Sequence, residues 1–177
     1  RKSAYRYLAW YHLLKGEQQA AEAYRQKILS EPVTLTGSDK QALVEAQHGF
    51  NSYLIKARLN FDAGRYSNVV QDLKPGIINK HCKEPWEFQE YHYRRARALQ
   101  ELGLRDEAIK SFNESLKYQS PISFSLANST LQLALLFEEK GNWSKSRDLF
   151  KAALVLEDYP FHEGIQQKAK AGLARLP

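Results

Sequence analysis

A chain of 177 residues with 43% hydrophobic and 26% charged side chains has the length and mixture of an ordinary globular domain rather than a disordered segment. Leu and Ala together number 42 against 15 for Val, Ile and Thr, a balance that favours helix and excludes an all-β or collagen-like protein. No stretch approaches the roughly 20 apolar residues of a membrane span, so a soluble chain is expected. The net charge of +6 is interspersed with Glu and Asp along the whole length, which argues against nucleic acid as the partner.

From the N-terminus, the apolar spacing predicts helices over about 2–15 and 17–30, 39–63 and 65–79, 86–102 and 105–118, 122–140 and 143–157, with a last one near 162–175. Ser38 with Gln41 reads as a capping box for the third helix, and Pro75-Gly76 interrupts the fourth. The stretches 31–38 and 79–85 are the irregular connections. Arg1 leads directly into the helical run Ala4-Tyr5-Arg6-Tyr7-Leu8-Ala9-Trp10 without an initiator Met, as expected of part of a longer protein, so the compartment stays open. The single cysteine, Cys82, forms no intrachain disulfide.

Self-similarity organises the chain. Ala9, Ala57, Ala96 and Ala134 each stand seven residues before a glycine: Gly16, Gly64, Gly103 and Gly141. Five residues after those glycines come Ala21, Val69, Ala108 and Ser146. Two antiparallel helices approach closely only where a small residue sits at the crossing, and the glycine supplies the left-handed turn between them. Pro32, Pro85, Pro121 and Pro160 punctuate the joints between one helix pair and the next.

These residues, with Phe112 and Phe150 later in the unit, make the chain resemble the tetratricopeptide repeat family. The match is strongest from Glu90 to Leu156 and weakest in the first repeat, where Arg25 and Ile28 depart from the pattern. The stretch Asp158-Tyr159-Pro160-Phe161 through Leu173 is similar to the ending of the tetratricopeptide protein 39 group and of bacterial repeat proteins. The resemblance implies an all-α, right-handed superhelical solenoid of antiparallel helix pairs in a single domain over 1–177, closed by a C-terminal capping helix. That cap would set Ile165, Ala169 and Leu173 on the last hairpin and leave Gln167, Lys168, Lys170 and Arg175 in water.

Catalysis is not expected. His12, His48, His81, His92 and His162 are scattered; His81-Cys82 with His92 lacks the spacing of a metal site; and the nine glycines form no phosphate loop. Neither cofactor nor metal is called for. His92 reads as a partly buried helix-face residue, Trp143 as core, and Trp86 as a staple after Pro85. The three Asn-x-Ser/Thr patterns at Asn113, Asn128 and Asn142 fall within or beside helices and are discounted.

Stacked hairpins create a concave surface lined by the first helix of each pair. Its inward positions would include Tyr7 and Trp10, then Arg58, then Tyr93, Arg94 and Arg97, then Leu131, Gln132, Leu135 and Glu138. Tyr, Trp and Arg are the residues that dominate interface energetics, so the expected activity is non-catalytic binding of a protein or peptide. An acidic or carboxylate-bearing peptide across Arg58, Arg94 and Arg97 is the sharper form of it; equally weighted is that these arginines pair with acids on neighbouring helices. The two-carboxylate clamp of the family's chaperone-binding members is not carried over, since Trp10 and Ile55 stand where that pattern has Asn. The alternatives are a regulatory or self-assembly region of a larger protein and, less favoured, an RNA-binding repeat. Oligomeric state is not legible.

Overall fold

The computed structural model of the chain describes residues 1–118 and 124–177. Every regular element among them is helical. The chain divides into two compact units, 1–56 and 57–177. The first holds α1 (Lys2–Leu14), α2 (Gln18–Ser30), α3 (Gly37–His48) and the start of α4 (Ser52–Asp62). The rest of α4 opens the second. There follow α5 (Tyr66–Asp72), a 3₁₀ turn at Pro75–Ile77, α6 (Ile78–His81), α7 (Pro85–Glu101), α8 (Arg105–Ser115), α9 (Phe124–Glu139), α10 (Trp143–Leu154) and α11 (His162–Arg175).

The four spaced glycines do the same job at each turn. Gly16, Gly64, Gly103 and Gly141 all have φ between +71° and +79°. At each, the glycine N–H donates to the carbonyl three residues back, and the next N–H reaches five back, as in Gly103 to Gln100 (3.0 Å) and Leu104 to Leu99 (2.9 Å). That is a Schellman closure, which satisfies the last carbonyls of the helix and reverses the chain. Ala9, Ala57, Ala96 and Ala134 are all buried. In the directly observed pairs, α1 on α2, α7 on α8 and α9 on α10, the small residue lets the backbones close.

Two sequence expectations are corrected. The predicted helix over 39–63 is two helices: Gly49 takes φ +95°, and the Asn51 side chain accepts hydrogen bonds from Tyr53 N (3.0 Å) and Leu54 N (3.2 Å), starting α4 afresh. This break frees α3 to pack on α1 and α2, with Ile28, Ala42 and Ala46 forming the core of the first unit. The cap of α3 is Thr36 rather than Ser38: its Oγ1 accepts from Asp39 N at 3.1 Å. Pro75 does interrupt the fourth predicted helix, leaving the short 3₁₀ turn. Pro121 lies outside the described residues.

In the second unit, Tyr93, Ala96, Leu99, Ala108, Phe112, Leu133 and Leu136 form one cluster of α7, α8 and α9. A second cluster joins α9, α10 and α11 through Ala127, Leu131, Ala134, Phe150, Ala153, Ile165 and Ala169. The last helix is amphipathic: Ile165 and Ala169 are buried, Leu173 packs on their cluster, and Gln167, Lys168, Lys170 and Arg175 are exposed. Trp143 is the exception to the predicted core. It is 42% exposed, because it is the first residue of α10 and a side chain there points back over the Gly141 turn rather than into the unit.

Candidate functional site

The facing sides of α7 and α9 gather most of the sequence-predicted arginine positions. Glu90, Tyr93, Arg94, Arg97 and Gln100 recur along α7 at spacings of three and four, which places them on one helix face. Across from them α9 presents Ser125 in its first turn, then Asn128 and Gln132, all of them buried polar residues. The reason they tolerate burial is a ladder of side-chain hydrogen bonds. Gln100 Nε2 donates to Gln132 Oε1 (2.9 Å), Gln132 Nε2 to Asn128 Oδ1 (3.2 Å), and Asn128 Nδ2 to Tyr93 Oη (2.7 Å). A buried polar group without a partner costs about 1–3 kcal/mol, so the ladder fixes the register of α7 against α9.

Above the ladder sits an ion-pair cluster. Glu90 Oε1 accepts from Arg94 Nε (2.9 Å) and Nη2 (2.8 Å), and Glu90 Oε2 accepts from Ser125 Oγ (3.2 Å). Burial pushes the Glu90 carboxyl up; the positive charges of Arg94 and Arg58, with the hydrogen bonds from Arg94 and Ser125, overcome it and hold Glu90 below the usual carboxylate range. Arg58 also faces Asp62 at 3.9 Å, and Arg97 Nη2 donates to Glu101 at 2.9 Å while its guanidinium stands 5.5 Å from the Phe61 ring. Each of the three arginines therefore has an acid four residues away on its own helix, and Arg58 also acts on Glu90 of α7. Two polar atoms of the face, Arg97 Nε and Gln100 Oε1, are buried without a hydrogen-bond partner among the described residues.

The remaining predicted residues belong to the first unit. Tyr7 is 55% exposed, but Trp10 is only 3% exposed, so its ring is packed in the fold instead of standing open. Arg6, itself buried, lies 4.9 Å from the centroids of both rings and reaches Glu45 at 3.4 Å. The fourth pair's inward positions are covered as well. Leu131 and Leu135 pack in the α11 cluster, and Arg175 holds Glu138 through two hydrogen bonds of 3.0 and 2.8 Å.

The basic run 93–97 is split by helix geometry. Arg95 points away from Arg94 and Arg97, and its Nη1 donates to Val70 O (2.8 Å) and Leu73 O (3.0 Å), closing the C-terminal end of α5. His92 shares that other face, stacked on Tyr118 with ring centroids 5.8 Å apart; burial holds its imidazole below the ordinary value. Cys82 is buried and its thiol is pushed up to about 12 by burial. Among the described residues, no group of three or more His, Cys, Asp or Glu is arranged to hold a metal ion, and no helix is long and apolar enough to cross a membrane. Asn128 is committed to the ladder; Asn142 is exposed and caps α10.

Sequence reasoning selected Arg58, Tyr93, Arg94 and Arg97 but passed over Glu90, Ser125 and Asn128. The available signal was the run of polar residues at 125, 128, 129, 130 and 132 inside the otherwise apolar α9. Comparison with known proteins found no matching family model and no matching curated relative.

Proposed function

We propose that this chain is a non-catalytic helical-repeat scaffold of the tetratricopeptide type, whose second unit holds a protein or peptide along the polar face of α7 and α9. The recurring small-residue crossings and Schellman turns support the repeat reading, since repeats of this type are built from helix pairs of that kind. One observation carries the binding reading: Arg94 and Arg97 are partly buried on one face of α7, and the partly buried Arg58 of α4 acts on the Glu90 carboxylate of that face, so three guanidinium groups capable of directional, bidentate contacts are gathered there. An acidic or carboxylate-bearing segment fits that face in exchange for the resident acids.

The test is the double charge reversal Arg58→Glu with Arg97→Glu. Partners retained by the wild-type chain are identified by mass spectrometry, purified, and titrated against both proteins. Loss of at least about tenfold in affinity supports the reading, as expected from truncating interface arginines. Equal affinity of the reversed and wild-type chains for the same partner contradicts it.

A further inference from the structure

We propose that Glu90 is a resident competitor on this face: it occupies the seat that a ligand carboxylate would take, and sets the threshold an acidic ligand must pass. The inference rests on the binding reading above and specifies how that site is regulated.

The three arginines are not equally available. The Arg97–Glu101 and Arg58–Asp62 pairs are partly exposed i,i+4 contacts within one helix, at 2.9 and 3.9 Å. Pairs of that kind shift an equilibrium by only about twofold and yield readily to a ligand. Glu90 is different. It takes two donors from Arg94 on one oxygen and the Ser125 hydroxyl on the other, half-buried between α7 and α9, with Arg58 near enough to act on its charge. A guanidinium giving two hydrogen bonds to one carboxylate oxygen, with a neutral hydroxyl donating to the other, is how an arginine site grips an anionic ligand. Here the anion comes from the same helix. Ser125, on α9, is buried and its hydroxyl donates to Glu90. The face is thus pre-arranged for a carboxylate, while an incoming one competes with a tethered group of high effective concentration.

The probe is a fluorescein-labelled N-acetyl hexaglutamate peptide, titrated by anisotropy against the full chain. Glu90→Gln keeps the shape and the acceptor oxygen while removing the charge. Glu101→Gln makes the same change in net charge on the exposed pair. Glu90→Gln is expected to bind the peptide at least about tenfold tighter than wild type, and Glu101→Gln to differ from wild type by about twofold or less. Ser125→Ala, which removes one donor from Glu90 without touching any charge, is expected to tighten binding by a smaller, few-fold factor; it keeps the test decisive if Glu90→Gln melts early. Equal gains in Glu90→Gln and Glu101→Gln would mean bulk charge alone and would overturn the proposal, as would no binding by either the wild type or Glu90→Gln. Tighter binding by Glu90→Gln that survives Arg94→Gln with Arg97→Gln would instead sink the underlying reading, because the peptide would be seated elsewhere.

Discussion

Gly172 should not tolerate even a methyl group. It lies inside α11 where that helix crosses α10, and a Cβ placed on it would stand 2.5 and 2.6 Å from Cε1 and Cε2 of Phe150, with Cζ closer still. Ordinary carbon–carbon contact is about 3.5–4.0 Å, so the ring would have to retreat by about 1 Å. It has nowhere to go: Phe150 is fully buried among Ala127, Leu131, Ala134, Ala153 and Ala169. Overpacking of this kind costs about 1–3 kcal/mol, and a fully enclosed ring belongs at the upper end. Against that, Ala favours a helix interior over Gly by about 1 kcal/mol. The net expectation for Gly172→Ala is a loss of about 2 kcal/mol. Gly164, eight residues earlier on the same helix, has nothing within 4 Å of its would-be Cβ, so Gly164→Ala keeps the propensity gain and should stabilise by up to about 1 kcal/mol. Urea unfolding followed by circular dichroism, with hydrogen exchange read separately for α10 and α11, gives both numbers. If Gly172→Ala were as stable as wild type, the close crossing of α11 over Phe150 would be wrong. The opposite sign at Gly164 guards against a general effect of alanine.

Three further outcomes follow from the packing. Arg95→Met should destabilise by about 1–3 kcal/mol, since it leaves the carbonyls of Val70 and Leu73, in and just past α5, unsatisfied; faster amide exchange in α5 than in α8 would locate the damage, and uniform exchange would refute it. The Asp39 carboxyl accepts a hydrogen bond from Ser3 N at 3.0 Å, which chiefly holds it down to about 2 against an ordinary value near 3.8. A carboxyl depressed by folding contributes stability that is complete above its unfolded value and lost as pH falls through the folded one. Melting temperature should therefore drop between about pH 4 and pH 2, and Asp39→Asn should flatten that limb; an unchanged profile would exclude the contact. Cys82 should react with a disulfide reagent at pH 8 only as fast as the chain opens, because burial suppresses both its thiolate and its access. Labelling at the rate of a free thiol would contradict its burial.

The helical scaffold was legible because its signals are local. A glycine that must take positive φ, and an alanine seven residues before it at the crossing, announce themselves in sequence at Gly103 and Ala96 as plainly as at Gly141 and Ala134. The break at Gly49 escaped the same logic: apolar periodicity runs on through it, and only the capping role of Asn51 marks a new start. Thr36 was missed as a cap for a related reason, since Ser38 two residues later has an equally suitable side chain. The site was legible as a set of arginines but not as a site. The acids four residues from Arg58, Arg94 and Arg97 are local and readable in sequence, but the convergence of Arg94 and Ser125 on Glu90 depends on how α9 packs on α7. Trp10 and the inward residues of α9 were misplaced on the open face: spacing within α1 sets Arg6 one turn before Trp10 but does not encode how deeply that ring is buried, and the cover that α11 gives α9 is a tertiary outcome.

The most direct test of the binding face is site-specific photocrosslinking. A benzoylphenylalanine introduced at Arg97, on the polar face of α7, and another at Lys110, exposed on α8, are irradiated with the purified partner. Adducts are expected from position 97 and none above background from position 110. Adducts from 110 with none from 97 would show that the partner sits on the opposite side and would contradict the binding reading.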